Sequence, residues 1–376
     1  MIVVGAGIVG SACAWWLARA GLAVDIIDPE AVGTQSTASA MGHLVVMDDS
    51  EAQFALCHRS RVLWDTFLPH LPAACEVDTS GTLWVARDED ELAAAEARRD
   101  FYRDRDVKAE MVAPAQLAAY EPNLRKGFRG ALLVPQDASI YPPAAARWLM
   151  DKALEIGAKF HRGRKVEAIA DGGVLTRDGE VLKAPVVVNA AGMAALELLR
   201  GIDLGLAMRP RKGHLVITDR VPGFCRRQVL EFGYLKRAHG DEDTSVAFNI
   251  QPRRTGQMLI GSSRQFDVSS REVELPILSR MLTRAQEFMP RIADLNCVRA
   301  WTGIRAATPD GLPLIGPILS APGVFLAAGH EGLGITTALA TAELITNVVM
   351  ERRSRIDGSP YLPGRFAESK GLRDVR

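Results

Sequence analysis

Apolar and polar residues follow one another along this chain in several distinct rhythms, and each rhythm names an element. Residues 2–4 form a short apolar run, 11–20 repeat at helical spacing, and 23–27 are apolar again and end on Asp28. Run, helical stretch, run reads as strand, helix, strand. Residues 52–68 set Phe54, Leu56, Val62, Leu63 and Phe67 among Arg59, Arg61 and Asp65, an amphipathic helix. Residues 82–86 and 130–134 read as strands, 88–105 as a charged, Ala-rich helix with a solvated face, and 114–120 as a short helix. Pro142-Pro143 opens a helix to residue 156 that Gly157 stops. Short strands at 165–170, 174–177 and 181–183, joined at Asp171-Gly172-Gly173 and Asp178-Gly179, form a meander. A fully apolar strand, 186–189, then ends on Ala190-Ala191-Gly192.

Between residues 207 and 300 the pattern changes to antiparallel strands, at 214–218, 245–249 and 257–261, with a helix at 276–289. Residues 301–316 are dense in turn formers, 324–328 are a strand, and 335–350 a helix. The fold class is therefore α/β with an α+β insert: a Rossmann-like dinucleotide-binding domain and a second, mainly antiparallel-sheet domain for substrate.

The first strand meets Gly5-Ala6-Gly7-Ile8-Val9-Gly10, and each glycine has its own task. Gly5 permits the tight turn, Gly7 lets backbone approach a pyrophosphate, and Gly10 lets the helix pack against the strand. The helix start, with Ile8 and Val9, directs free N–H groups and a positive dipole end at the phosphates. Asp28 follows Gly10 by eighteen residues, where a carboxylate accepts hydrogen bonds from ribose hydroxyls and disfavours a 2'-phosphate. The apolar stretch at 2–18 is read as this unit rather than as a targeting segment, since no basic stretch precedes it. The loop 29–43 offers Ser36, Thr37 and Gly42 to the same ligand, and His43 either faces it or closes the loop. Gly329-His330-Glu331-Gly332-Leu333-Gly334 is a second glycine turn opening a helix, with no strand and acid behind it, so its dipole serves another electron-rich target.

Composition narrows the picture. The 376 residues are 48% hydrophobic, enough for a sizeable core, and Lys plus Arg balance Asp plus Glu at 45 each, so the charge suggests neither nucleic acid nor an anionic membrane. No apolar run is long enough to span a bilayer. Five scattered cysteines without a C-x-x-C pair fit reduced thiols in the cytoplasm and argue against a metal site or an iron–sulfur cluster on this chain.

Together these blocks resemble the D-amino acid oxidase (DAO) family of FAD-dependent oxidoreductases, which includes glycine oxidase and sarcosine oxidase. The resemblance covers essentially the whole chain. It rests on Gly5-x-Gly7-x-x-Gly10 with Asp28, Val188-Asn189-Ala190-Ala191-Gly192, Trp301-x-Gly303-x-Arg305 with Thr308-x-Asp310-Gly311-x-Pro313-x-Ile315-Gly316, and Gly329-His330 through Gly334-Ile335. Within the family, residues 211–220 and 330–337 are similar to bacterial D-hydroxyproline dehydrogenases and to opine or cyanide-forming dehydrogenases.

The resemblance implies an FAD-binding domain of residues 1–80, 136–206 and 300–376, with a substrate domain of 81–135 and 207–299. It implies one noncovalent FAD, with adenosine at Asp28, the adenine at the Val166 backbone, and Ala191, Gly192, Gly303, Gly329, Gly332, Leu333, Gly334, Ile335 and Thr336 along the cofactor. The family places its carboxylate-binding arginine at Arg305, and a planar guanidinium grips a carboxylate with two parallel hydrogen bonds. Tyr234 either adds a hydroxyl to that carboxylate or is a core aromatic. His330 and Glu331 either line the pocket over the flavin or shape the turn, and His239 belongs to a solvated loop. The implied reaction is hydride transfer from the α-carbon of an amino acid to the flavin, with cis-4-hydroxy-D-proline or another D-proline preferred and glycine, sarcosine or an opine as alternatives. The resemblance implies that electrons pass to a dye, a quinone or a partner subunit in preference to oxygen, and the assembly state is open. An NAD-dependent dehydrogenase is the non-flavin alternative, since Asp28 suits NAD equally well on local grounds.

Overall fold

The computed structural model describes residues 1–170, 172–233 and 244–366, and the chain divides into two compact units. The first comprises Met1–Cys75, Tyr141–Pro210 and the residues from Ile304 onward; the second comprises Glu76–Ile140 and Arg211–Gly303.

The first unit is built on a six-stranded sheet in the order Leu314–Pro317, Val324–Ala328, Val187–Asn189, Ile2–Val4, Asp25–Asp28, Lys159–Arg162. All neighbours pair parallel except Leu314–Pro317, which closes one edge antiparallel. Parallel strands are covered on both faces, so their residues are apolar without alternation: Ile2, Val3 and Val4 are all buried. Ile2 and Val4 pack with Ile27, Val187 and Leu326 and with Val166, Ile169 and Val174 of a three-stranded antiparallel sheet. That sheet, Val166–Ala170, Gly173–Thr176 and Val181–Lys183, is the expected meander; Asp171 of its first turn lies outside the described residues. The helices Ile8–Arg19, Pro142–Glu155, Glu51–Phe67 and Gly334–Val349 pack side by side. Lys159–Arg162 has no strand signature of its own, being exposed or half-buried along its length, and takes its form from pairing with Asp25–Asp28.

The second unit is an eight-stranded sheet in the order Cys297–Ala307, Arg209–Arg220, Gln257–Phe266, Thr244–Pro252, Gln228–Glu231, Thr82–Ala86, Gly130–Val134, Glu110–Val112. Two features depart from the sequence reading. Residues 301–307, expected to be turn-rich, continue the strand Cys297–Ala307, because pairing supplies their backbone hydrogen bonds despite Gly303 and Thr302. Gln228–Glu231 runs parallel to Thr82–Ala86, a pairing made by distant segments that local pattern does not encode. The helix Leu275–Phe288 covers one sheet face, setting Met281, Ala285 and Phe288 against Val216, Phe248, Ile250, Met258 and Ile260. Phe248 and Phe288 stack with ring centroids 4.6 Å apart. Among the described residues no helix is long and apolar enough to cross a membrane.

Candidate functional site

The N-terminal glycine turn has the geometry its spacing demands. Gly5 sits at φ +105°, and a Cβ there would lie 2.5 Å from the Ala190 carbonyl oxygen. A Cβ on Gly10 would lie 2.0 Å from the Gly5 oxygen, so only glycine lets the helix start this close to the strand. Gly7 differs: the nearest atom to a Cβ there is Thr37 Oγ1 at 3.3 Å, and its φ of −67° suits any residue. Its bare surface opens onto a helix start that no N-cap side chain covers. Ile8 N–H donates to Thr37 Oγ1 at 3.1 Å, which spends one first-turn donor inside the protein.

Asp28 ends the second strand and accepts from Ala6 N–H and Glu30 N–H, each at 2.7 Å, one on each oxygen. Each carboxylate oxygen retains acceptor capacity for ribose hydroxyls. Burial nevertheless pushes the Asp28 pKa up, the two N–H donors only partly opposing it.

The loop after Asp28 is held at several points. Ser36 Oγ donates to the Ile304 carbonyl at 2.7 Å, and the carbonyl of His43 accepts from Thr336 Oγ1 at 2.9 Å. Gly42 turns at φ +94°. Ser36, Thr37 and His43 therefore tie the loop to the strand bearing Arg305, to the first helix and to the last helix. On the neighbouring strand end, Asn189 Oδ1 accepts from Ala191 N–H and its Nδ2 donates to the Ala195 carbonyl, which fixes the Ala191-Gly192 turn, with Gly192 at φ +60°. Val166 begins the meander with its side chain in the core. Gly303 lies on the strand leading to Arg305.

The second glycine turn brings the remaining residues together. Gly329 has φ +75°, and a Cβ there would meet Thr308 Cγ2 at 2.7 Å. His330 turns inward, with Nε2 2.9 Å from Thr341 Oγ1, and burial lowers its pKa to about 4. It is a neutral, helix-anchoring group at neutral pH. Glu331 has φ +48° and donates its N–H to the Ala306 carbonyl. A Cβ on Gly332 would lie 3.8 Å from Arg305 Cδ, an ordinary van der Waals contact, which places Gly332 directly beside the guanidinium stem. Leu333 precedes the Gly334–Val349 helix, whose first turn, with Ile335 and Thr336, again has no side-chain cap. Arg305 is 21% exposed, and its Nη1 makes no hydrogen bond among the described residues. Tyr234 and His239 lie outside the described residues.

The turn, Asp28, the loop and the uncapped last helix fit an extended dinucleotide with a flavin: a ribose acceptor at Asp28, an open glycine at the pyrophosphate, and a positive helix end for an electron-rich ring edge. Two supporting residues carry no motif. Trp64 Nε1 donates to the carbonyls of Ile335 and Thr336, and Ser60 Oγ accepts from Ala340 N–H, so Glu51–Phe67 braces the last helix. Their spacing of four on one helix face was the available signal. Burial raises the Cys13 thiol to about 12 and Cys75 to about 11, which leaves both protonated. Among the described residues no group of His, Cys, Asp and Glu side chains could hold a metal ion.

Comparison with known proteins finds relatives along nearly the whole chain. The profile described as DAO, FAD dependent oxidoreductase, matches residues 1–348. A glycine oxidase of Pseudomonas aeruginosa is 30% identical, with 96% of this chain and 98% of that protein covered. The hydrogen cyanide synthase subunit HcnC of Pseudomonas protegens is 26% identical, with 98% and 96% covered. The solved glycine oxidase of Geobacillus kaustophilus has a TM-score of 0.86 at 26% identity, with 97% and 98% covered.

Proposed function

The chain belongs to the DAO family of FAD dependent oxidoreductases, and on that premise we propose that it oxidises the CH–NH bond of a small amino or imino acid, preferring cis-4-hydroxy-D-proline or another D-proline. FAD, when bound, supplies the hydride acceptor. The chain's part is to hold the α-carbon in place. Arg305 carries the reading: a partly buried guanidinium with an unbonded Nη1, beside an uncapped helix start, suits a substrate carboxylate. A ring imino acid is already rigid, so gripping its carboxylate leaves few rotors to freeze. Support for the D-proline class comes from residues 211–220 and 330–337 and their resemblance to D-hydroxyproline dehydrogenases.

A second reading, oxidation of glycine or sarcosine, is favoured by the glycine oxidases among the relatives. The electron acceptor we assign is a quinone or partner subunit, in a cytoplasmic enzyme that can sit at a membrane surface; the relative HcnC is itself a subunit. Anaerobic mixing with glycine, sarcosine, D-amino acids, D-prolines and opines tests both readings. Bleaching of the flavin by cis-4-hydroxy-D-proline, with faster turnover on an artificial acceptor than on air, is the expected result. Fast reduction by glycine or sarcosine and none by D-prolines, with vigorous peroxide formation, establishes the second reading.

A further inference from the structure

Arg305 and Glu331 form an ion pair unlike others in the first unit. Arg59 closes on Glu343 with Nε 2.7 Å from Oε2, and Arg365 closes on Asp310 with contacts of 2.7 and 2.9 Å. Both are forked pairs with the hydrogen bonds made. Arg305 Nη1 and Glu331 Oε1 stand 3.9 Å apart, near enough to attract and too far to hydrogen-bond. Their side chains are mostly buried, at 21% and 13% exposure. The backbone holds Glu331 in this position: φ is +48°, which non-glycine residues seldom adopt, and its N–H is bonded to the carbonyl of Ala306, the neighbour of Arg305. Gly332 follows and lies beside the Arg305 stem.

We propose that Arg305 and Glu331 act as a zwitterion clamp, in which the guanidinium takes the carboxylate of an α-amino or α-imino acid and the Glu331 carboxylate takes its ammonium group. This rests on the reading of Arg305 as the carboxylate grip. An α-amino acid carries its opposite charges three bonds apart, on the nitrogen and on the carboxylate oxygens, and so matches a guanidinium and a carboxylate that stand 3.9 Å apart without closing on each other. A plain carboxylic acid brings only the negative charge, and Glu331 repels it. Glu331 thereby selects amino and imino acids from other small carboxylates of similar shape.

The test uses the FAD-loaded protein and two unreactive probes, titrated by calorimetry. Cyclopentanecarboxylate is a ring carboxylate without nitrogen; 2-methyl-D-proline is a zwitterion without an α-hydrogen. Wild type is expected to bind 2-methyl-D-proline more tightly. Glu331→Gln is expected to weaken the zwitterion roughly tenfold and to tighten the monoanion several-fold. Glu331→Asn, neutral and tolerant of a positive φ, should give the same opposite shifts. A role confined to shaping the turn moves both affinities together. Shifts in the same direction, or no shift, in the Glu331 variants overturn the clamp while the Arg305 grip stands. If Arg305→Ala leaves both affinities unchanged, or wild type binds neither probe, grip and clamp both fall.

Discussion

Two helices, one in each unit, begin in contrasting ways. Ile8–Arg19 in the first unit starts at Gly7 with no N-cap side chain, and its open end is a place where a ligand's negative charge is welcome. Leu275–Phe288 in the second unit starts at Glu274, which is tied on every side: its N–H donates to His214 Nε2, and its carboxylate accepts from Lys212 Nζ at 2.6 Å and Gln265 Nε2 at 3.1 Å. Lys212 is buried, with 1% of its side chain exposed. Gly334–Val349 repeats the open form, again in the first unit. None of these three starts has a side-chain cap hydrogen bond; what sets Leu275–Phe288 apart is that its N-cap residue is itself held by buried side chains, which marks a structural anchor.

The largest effect expected from breaking this contrast is at Gly10. Gly10→Ala puts a methyl into the Gly5 carbonyl and should cost about 3 kcal/mol or more in thermal unfolding. Gly7→Val, three residues earlier, meets only Thr37 Oγ1 and should leave unfolding nearly unchanged while abolishing FAD retention, read from flavin absorbance. Full FAD content in Gly7→Val would remove the open helix start from the cofactor site.

Acid sharpens the comparison next. His330 has its pKa lowered by burial to about 4, so the folded protein resists a proton that the unfolded chain accepts near 6.5. Its contribution is intact above about pH 6.5 and is lost as the pH falls toward 4, up to about 3 kcal/mol. His214 shifts the same way, through burial first and then the Lys212 charge. Both histidines therefore weaken the fold as the pH falls, one in each unit. His330→Gln should flatten the acid limb of stability measured by denaturant titration between pH 7 and 5; an unchanged limb removes His330 from the account.

The anchor in the second unit gives the next effect. Glu274→Ala strands the Lys212 ammonium and should cost about 2 kcal/mol, the partial exposure of Glu274 reducing the full penalty of a broken buried pair. Lys212→Met removes the buried charge itself and should cost less. Chemical denaturation of both variants checks the order, and a greater loss in Lys212→Met would reverse this reading.

The contrast also explains what the sequence could disclose. Gly5, Gly7, Gly10 and Asp28 work through backbone geometry within one short segment, so their spacing is visible directly. Thr82–Ala86 and Gly130–Val134 alternate or bury so regularly that their limits are legible. The parallel pairing of Gln228–Glu231 with Thr82–Ala86 joins residues far apart in sequence, and no local pattern records it. The strand through Trp301 and Gly303 was hidden by residues that favour turns when isolated and extend when paired. His330 illustrates the same limit at the site, since its partner Thr341 lies on the helix that follows the turn.

Arg305 provides the most direct measurement of the central claim. The rate of anaerobic flavin reduction is followed against the concentration of cis-4-hydroxy-D-proline in wild type, Arg305→Ala and Arg305→Lys, with FAD content checked in each. Loss of the charge-assisted pair predicts substrate capture weakened by roughly 2 to 4 kcal/mol in Arg305→Ala, with FAD retained and partial recovery in Arg305→Lys, whose ammonium lacks the forked contact. An unchanged concentration dependence in Arg305→Ala would contradict the assignment of this residue as the substrate grip.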